Sequence, residues 1–304
     1  MNKSPKKPLV SVITVTRNLI KAERKKCFFQ CILSVAVQNY ENIEHIVIDG
    51  ASDDGTLDLI KCYSDNIRYI SEPDKGLYDA MNKGARLAKG KYLMFLNSDD
   101  FLSDEKGIEK SVNALEQGGY DFSYAKTKMV DKQGNRQSHL EYEPNISKVF
   151  TLMPFCHQSM LIRKDVFENL GMYDLKYKSA ADYDFIYKLV LNKQNSVFVP
   201  DEITTFRTGG YSNTDKDLSV LESAKVIQEN CSRFYKFTQK ECIDMVYTQN
   251  MPCTCLFRLI KNTDLGFKNN VKILLKAFRR NFIRIRCSFK NPHFEILGMK
   301  IVGN

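Results

Sequence analysis

At 304 residues the chain can bury a large core, and 43% hydrophobic with 27% charged residues is the balance of a soluble globular protein. Nine cysteines without regular spacing argue against a disulfide-stapled secreted fold, and Cys253-Thr254-Cys255 is too close-set for a zinc half-site. No apolar run reaches the ~20 residues that cross a bilayer, and Met1 to Pro8 is polar and basic where a signal peptide would be apolar, so the expectation is a cytoplasmic protein.

The elements alternate from the start. Leu9 to Val15 is a β-branched run that predicts a strand, followed by Thr16-Arg17-Asn18, and a helical pattern covers Ala22 to Gln38. Ile43 to Ile48 predicts a second strand ending in Asp49-Gly50, Thr56 to Tyr63 a helix, and Ile67 to Ile70 a third strand ending near Glu72-Pro73-Asp74. Leu77, Ala80, Met81, Gly84 and Leu87 recur at helical spacing within Leu77 to Ala88. Phe95-Leu96-Asn97-Ser98-Asp99-Asp100 then reads as a buried strand stopping in two adjacent carboxylates. Such alternation predicts a mainly parallel sheet with crossover helices, whose ligands bind beyond the carboxyl ends of the strands. Asp49, Asp74, Asp99 and Asp100 would collect on that rim. Paired acids suit Mg²⁺ or Mn²⁺, which take one or two carboxylates and fill the rest with water and phosphate; the same Ser98-Asp99-Asp100 would also cap a following helix.

Further along, the pattern predicts a helix over Asp104 to Gln117, a hairpin around Asp131-Lys132-Gln133-Gly134-Asn135, a strand at Met160-Leu161-Ile162 and a helix over Phe185 to Leu191. From Asp215 the chain reads as helical, with Leu218, Leu221, Ala224 and Ile227 on one face. Positive charge gathers late, from Arg258 through Lys290. There Val271, Leu274, Leu275, Phe278, Phe282 and Ile285 form an apolar stripe flanked by Lys272, Lys276, Arg279 and Arg280. Such a helix would lie in an anionic headgroup layer, or pack on the rest of the protein with a solvated basic face; nucleic acid would attract the same charge.

Four segments in order, Ser11 to Asn18, Ile48 to Thr56, Glu72 to Gly84 and Asn97 to Asp100, closely resemble the family 2 glycosyltransferases. The resemblance covers about the first two thirds of the chain. It implies the GT-A fold, a Rossmann-like mixed and mainly parallel sheet flanked by helices, with a helical C-terminal extension here. It places a catalytic domain over residues 1–214, with the nucleotide-binding half in 1–100 and the acceptor half in 101–214, and a helical, basic extension over 215–304.

The resemblance also implies roles. A nucleotide-sugar donor, UDP-sugar favoured, would lie across the strand ends, with the backbone near Thr14, Thr16 and Asn18 around base and ribose, Asp49 on the base, Asp74 on the same rim, Asp99 on the ribose side and Asp100 on Mn²⁺ or Mg²⁺. Many members carry Pro and Tyr where Val15 and Arg17 stand, so a Tyr stack on the base is not available and Arg17 would stack or touch phosphate instead. Ser179 to Phe185 matches the acid-bearing segment, putting Asp182 at the catalytic base, although Ala181 stands where many members have Glu. An N-cap role would also explain Asp182. His157, in Phe155-Cys156-His157-Gln158-Ser159, would contact acceptor or diphosphate, or be held structurally by a backbone carbonyl. Thr208-Gly209-Gly210-Tyr211-Ser212 resembles a loop after the acceptor region that would close over the diphosphate, or simply turn the chain.

The implied activity is inverting, metal-dependent sugar transfer to a glycan or lipid-linked saccharide in bacterial polysaccharide synthesis. Partners would be donor, acceptor and the inner face of a membrane, without nucleic acid. The alternative is a non-catalytic peripheral membrane protein that keeps the nucleotide-sugar pocket.

Overall fold

The computed structural model describes residues 7–141, 143–209, 215–262, 294–296 and 299–301. The basic segment around Val271 to Lys290 and the loop residues Gly210 to Ser212 lie outside the described residues. Strand and helix alternate as β1 (Val10–Thr16), α1 (Lys25–Ala36), β2 (Ile43–Asp49), α2 (Thr56–Lys61), β3 (Arg68–Ser71), α3 (Leu77–Leu87) and β4 (Tyr92–Phe95). There follow β5 (Phe101–Leu102), α4 (Gly107–Gly118), β6 (Phe122–Val130), β7 (Leu161–Arg163), α5 (Lys164–Asn169), α6 (Ala181–Leu191) and β8 (Ser196–Arg207).

The eight strands form one sheet in the order β3-β2-β1-β4-β7-β6-β8-β5. β3, β2, β1 and β4 run parallel, so the ends at Ser71, Asp49, Thr16 and Phe95 share one rim. Every residue of β1 is buried, as expected of a parallel strand covered on both faces. On one face Val10 and Val12 pack with Cys31 and Val35 of α1 and with Ile108, Val112 and Leu115 of α4. On the other, α3 lies so close that a Cβ on Gly84 would fall 2.4 Å from Ile13 Cγ2.

The hairpin expected near Asp131 is present in short form, with Gln137 N donating to Met129 O at 2.8 Å. Asp131 N donates to Asn135 O at 2.9 Å and Gly134 N to Asp131 O at 3.0 Å, but the returning arm makes a single bridge, Val130 with Arg136. β6 gives one edge to β8, in parallel from Phe122 to Val130 with a register shift around Lys126, and pairs with β7 along the other. The expected apolar face of the next helix, α7 (Lys216–Cys231), is rotated: Ala224, Val226, Ile227 and Cys231 are buried while Leu221 is 44% exposed.

By internal contacts the chain divides into two compact units, one comprising Met1–Pro144, Phe155–Phe185 and Asn195–Lys216, the other Asn145–Pro154, Ile186–Gln194 and Asp217–Asn304. The second therefore draws in two short segments from before residue 215. Within it Tyr187 OH meets Cys231 Sγ at 2.9 Å, and Thr238 and Glu241 cap α8 (Gln239–Thr248) reciprocally, ahead of α9 (Cys253–Asn262). β9 (Phe294–Ile296) and β10 (Met299–Ile301) pair antiparallel. Among the described residues no helix is long and apolar enough to cross a membrane.

Candidate active site

The parallel register builds the first part of the rim. Thr16 pairs with Asp49, and Asp49 with Ser71, so three polar side chains stand in one row across β1, β2 and β3. Asp49 is fully buried and accepts four hydrogen bonds: Thr16 Oγ1 at 3.0 Å and Ser52 Oγ at 2.5 Å on Oδ1, Ser52 N at 2.9 Å and Ser71 Oγ at 2.7 Å on Oδ2. Its side chain is thus buried within this row and tied to all three strands and to Ser52. Ser52 Oγ in turn accepts from Asn18 N at 2.8 Å, and Asn18 Oδ1 accepts from Asp53 N at 3.1 Å. Asn18 holds φ 50°, a left-handed conformation that Asn tolerates better than most residues. Thr14 sits two residues inside the rim, fully buried, with Oγ1 2.9 Å from His45 Nε2. That burial removes its side chain from the rim.

Asp74 lies beside the same corner. Its Oδ1 accepts from Gly76 N at 2.8 Å and stands 3.8 Å from the Arg17 guanidinium, while a Cβ on Gly50 would fall 2.2 Å from Oδ2. A side chain at Gly50 would thus displace the Asp74 carboxylate from its present position. Arg17 is the solvent-exposed partner of this pair.

The acid pair beyond β4 is buried and unevenly compensated. Asp99 accepts a short hydrogen bond from Arg24, which also reaches Gly209 O at 3.3 Å. Burial pushes the Asp99 carboxyl up, with Arg24 and Arg207 opposing. Asp100 Oδ1 accepts from Arg207 N at 2.8 Å, and Oδ2 from Gln158 Nε2 at 3.0 Å and Asn97 Nδ2 at 3.4 Å. All three donors are neutral. Burial, reinforced by the adjacent Asp99 charge, therefore holds the Asp100 carboxyl well above the usual range. A carboxylate with only neutral partners beside a second acid has the donor chemistry that a hard divalent cation relieves. Among the described residues no group of three or more His, Cys, Asp or Glu could hold a metal. The residues fit a site of one or two carboxylates completed by water and phosphate oxygens, not an all-protein cage.

The other pole is Asp182, in the first turn of α6. Its Oδ1 accepts from Tyr78 OH and from Tyr183 N, both at 2.9 Å, and its Oδ2 meets His157 Nδ1 at 2.9 Å. Burial alone would raise this carboxyl, but the His157, Tyr78 and Tyr183 hydrogen bonds hold it below the usual range, so it is ionised at neutral pH. The acid-bearing and acceptor-side segments thus meet through the Asp182 and His157 side chains. A short 3₁₀ turn, His157–Ser159, joins the two poles: His157 touches Asp182 and the next residue, Gln158, touches Asp100.

Gln158, Tyr78, Arg24 and Arg207 were not singled out from the sequence. Gln158 and Tyr78 lie inside quoted motifs, one residue from His157 and four from Asp74. Arg207 precedes the Gly209 loop, with Nε 3.2 Å from Asp99 O and an η nitrogen 2.8 Å from Gln30 Oε1. Arg24 has no sequence signal, since it is one basic residue among several before α1.

The mainly parallel sheet flanked by helices, with buried acids beyond its strand ends, has the GT-A fold. Residues 11–171 match the model described as Glycosyl transferase family 2, and the chain belongs to that family. It is 28% identical over 224 residues to a PGL/p-HBAD biosynthesis glycosyltransferase of Mycobacterium bovis, covering 71% of this chain and 83% of that protein. It is 27% identical over 254 residues to an uncharacterized glycosyltransferase of Rickettsia typhi, covering 80% and 77%. Among solved structures, S. aureus TarS 1-349 in complex with UDP-GlcNAc superposes with a TM-score of 0.59 at 20% identity, over 93% of this chain and 76% of that one. The chain spans 43% of the longer TarS structure. A mannosyltransferase from Pyrobaculum calidifontis in complex with GDP-Man and Mn²⁺ gives 0.55 at 14% identity, over 94% and 82%.

Proposed function

We propose that the protein is an inverting, metal-dependent glycosyltransferase that moves a hexosyl or N-acetylhexosaminyl group from a nucleotide diphosphate to a hydroxyl of a glycan or lipid-linked saccharide. The reading rests on one observation above others: the consecutive residues His157 and Gln158 tie the Asp182 pole to the Asp100 pole, so a proton-accepting group and a phosphate-side acid belong to one cluster. The corner of Thr16, Asn18 and Arg17 takes the nucleoside, with Asp49 and Asp74 fixing the backbone and the guanidinium around it. Asp100, with Asp99 beside it, would hold Mn²⁺ or Mg²⁺. When bound, the cation supplies positive charge against the departing nucleoside diphosphate. Arg24, beside Asp99, adds a second positive group there.

In this reading Asp182 marks where the acceptor hydroxyl loses its proton. The UDP-GlcNAc and GDP-Man complexes of the structural neighbours support a nucleotide-sugar donor, and the first also supports uridine. The basic late segment supports work at an anionic membrane face, where a lipid-linked acceptor would be found.

The test is a calorimetric titration with uridine, guanosine and thymidine diphosphates, each with and without Mn²⁺. One nucleotide is expected to bind in a metal-dependent way and to lose binding in Asp100→Ala. Failure of all three to bind would refute the proposal.

A further inference from the structure

We propose that the outer face of α1 is a self-association surface, on which a second copy of this chain packs its own α1 antiparallel about a two-fold axis near Leu33. The proposal concerns assembly and does not depend on the transferase reading. Phe29, Leu33 and Val37 recur four residues apart along one side of α1 and its C-cap and are 50%, 46% and 45% exposed, with exposed Ala36 among them. Phe28, Cys31, Ile32 and Val35 are buried on the other side, so α1 is already anchored without the stripe. Single exposed apolar side chains are ordinary, whereas a continuous stripe on one helix marks a contact surface.

The charges around the stripe name the occupant. Lys25 and Lys26 stand in the first turn of α1, where the helix dipole disfavours them. No acid accompanies them there, and no basic residue stands in the last turn. Glu41 is exposed a short way beyond the other end. None of Lys25, Lys26 and Glu41 forms an ion pair among the described residues. This distribution is unfavourable for a lone helix and favourable for two antiparallel ones, in which the lysines of each copy meet the C-terminal carbonyls and Glu41 of the other. An anionic lipid surface would attract the lysines but repel Glu41.

The spacing agrees with a two-fold. With Leu33 on the axis, the residue a given number of places before it faces the residue the same number of places after it on the other copy. Phe29 then faces Val37, and Lys25 faces Glu41. A cavity of about 260 Å³ lies at this same end, walled in part by Ile32, Val35, Ala36 and Ile43, with Glu41 also on its lining. It receives the Phe29 ring of the second copy, while Lys25, one turn earlier, reaches Glu41. Projection and cavity belong to one face of one chain, which is the self-complementarity that a two-fold contact requires. A helix of 12 residues is only about 18 Å long. The contact is therefore smaller than the ~800 Å² per partner of a standard interface, and the dimer is reversible.

The experiment is sedimentation velocity on the full chain across the micromolar range, under reducing conditions so that thiols such as the exposed Cys62 cannot link copies. Three variants are compared with wild type: Leu33→Lys, which opposes two ammonium groups on the axis; Lys25→Glu combined with Lys26→Glu; and Glu41→Lys. Wild type is expected to pass from monomer to dimer as concentration rises. Each variant is expected to raise the dimer dissociation constant at least about tenfold, because like charges then face each other. An equimolar mixture of the double variant with Glu41→Lys is expected to dimerise as wild type does, since both charge contacts are again between opposite signs; variants that had merely misfolded would not be rescued by mixing. Wild type that stays monomeric at every concentration overturns the proposal and leaves the stripe to lipid or to another part of the chain. A dimer indifferent to Leu33→Lys also overturns it, because the interface then lies elsewhere. A mixture that stays monomeric refutes the antiparallel pairing.

Discussion

At the scale of single residues, the site is built from carboxylates given different surroundings. Asp49 is saturated by four donors, Asp100 is buried with neutral donors only, and Asp182 is held ionised by a histidine and two tyrosine groups. Gln158 donates the nearer side-chain hydrogen bond to Asp100 Oδ2, the other being Asn97 at 3.4 Å. Gln158→Leu removes it and leaves a buried acceptor short of a donor, which is expected to cost about 1–3 kcal/mol. Chemical denaturation should show that loss, and Mn²⁺-dependent UDP binding should weaken with it; unchanged binding would mean that Gln158 does not position Asp100. Asp49→Ala frees four donors at once, two of them from Ser52, which also anchors Asn18. The expected outcome is weaker nucleotide binding with a smaller change in turnover of bound donor, since no reacting atom lies at Asp49. A fall in turnover alone would contradict that division.

At the scale of elements, what could be read in advance was what repeats along the chain. β-Branched runs and helical spacing placed β1, β2, β3 and α3 within one or two residues, because a parallel strand covered on both faces must be apolar along its length. α1 came out shorter than Ala22 to Gln38, beginning at Lys25, since Glu23 holds a left-handed φ of 56° that a right-handed helix cannot contain. The short hairpin at Asp131 was legible from its turn residues, but that β6 also lies between β7 and β8 is a long-range pairing that no local pattern announces. Saturation of Asp49 was equally hidden, because it depends on a register that brings Ser71 alongside.

Two element-scale tests follow from packing. Gly84→Val puts a branched side chain where a single Cβ already falls 2.4 Å from Ile13 Cγ2, so α3 must move off β1. The expected loss is about 1–3 kcal/mol in urea titration, typical of overpacking. His45, fully buried on β2 against Thr14, has its pKa lowered by burial to about 4 from 6.5. The unfolded chain therefore binds its proton more tightly, so the stability this neutral ring contributes is complete above about pH 6.5 and is lost as pH falls toward 4. The shift corresponds to roughly 3 kcal/mol. Denaturation midpoints should fall across that window in wild type and less steeply in His45→Gln; parallel curves would show that another group governs the acid limb.

At the scale of the whole molecule, the charge is divided by sequence. The eleven Lys and Arg after residue 257, against Asp264 and Glu295, account for the full +9, which leaves residues 1–257 with no net charge. The catalytic sheet therefore has no net attraction to an anionic surface, and any such attraction must come from the late segment. Basic residues near an anionic bilayer contribute about 1 kcal/mol each, screened beyond a Debye length of about 8 Å at physiological salt. Replacing Lys272, Lys276, Arg279 and Arg280 by Gln in the full chain removes four such contributions while the apolar residues Val271, Leu274, Leu275 and Phe278 stay. Flotation with phosphatidylglycerol vesicles is expected to recover wild type in the lipid fraction at low salt, less at high salt, and the variant poorly at either. Nucleotide binding should be the same in both proteins, because the rim and its acids lie wholly within the neutral part of the chain. Equal flotation of the two proteins would remove the electrostatic basis for membrane association, whereas loss of UDP binding in the variant would mean that the basic segment serves the donor site itself.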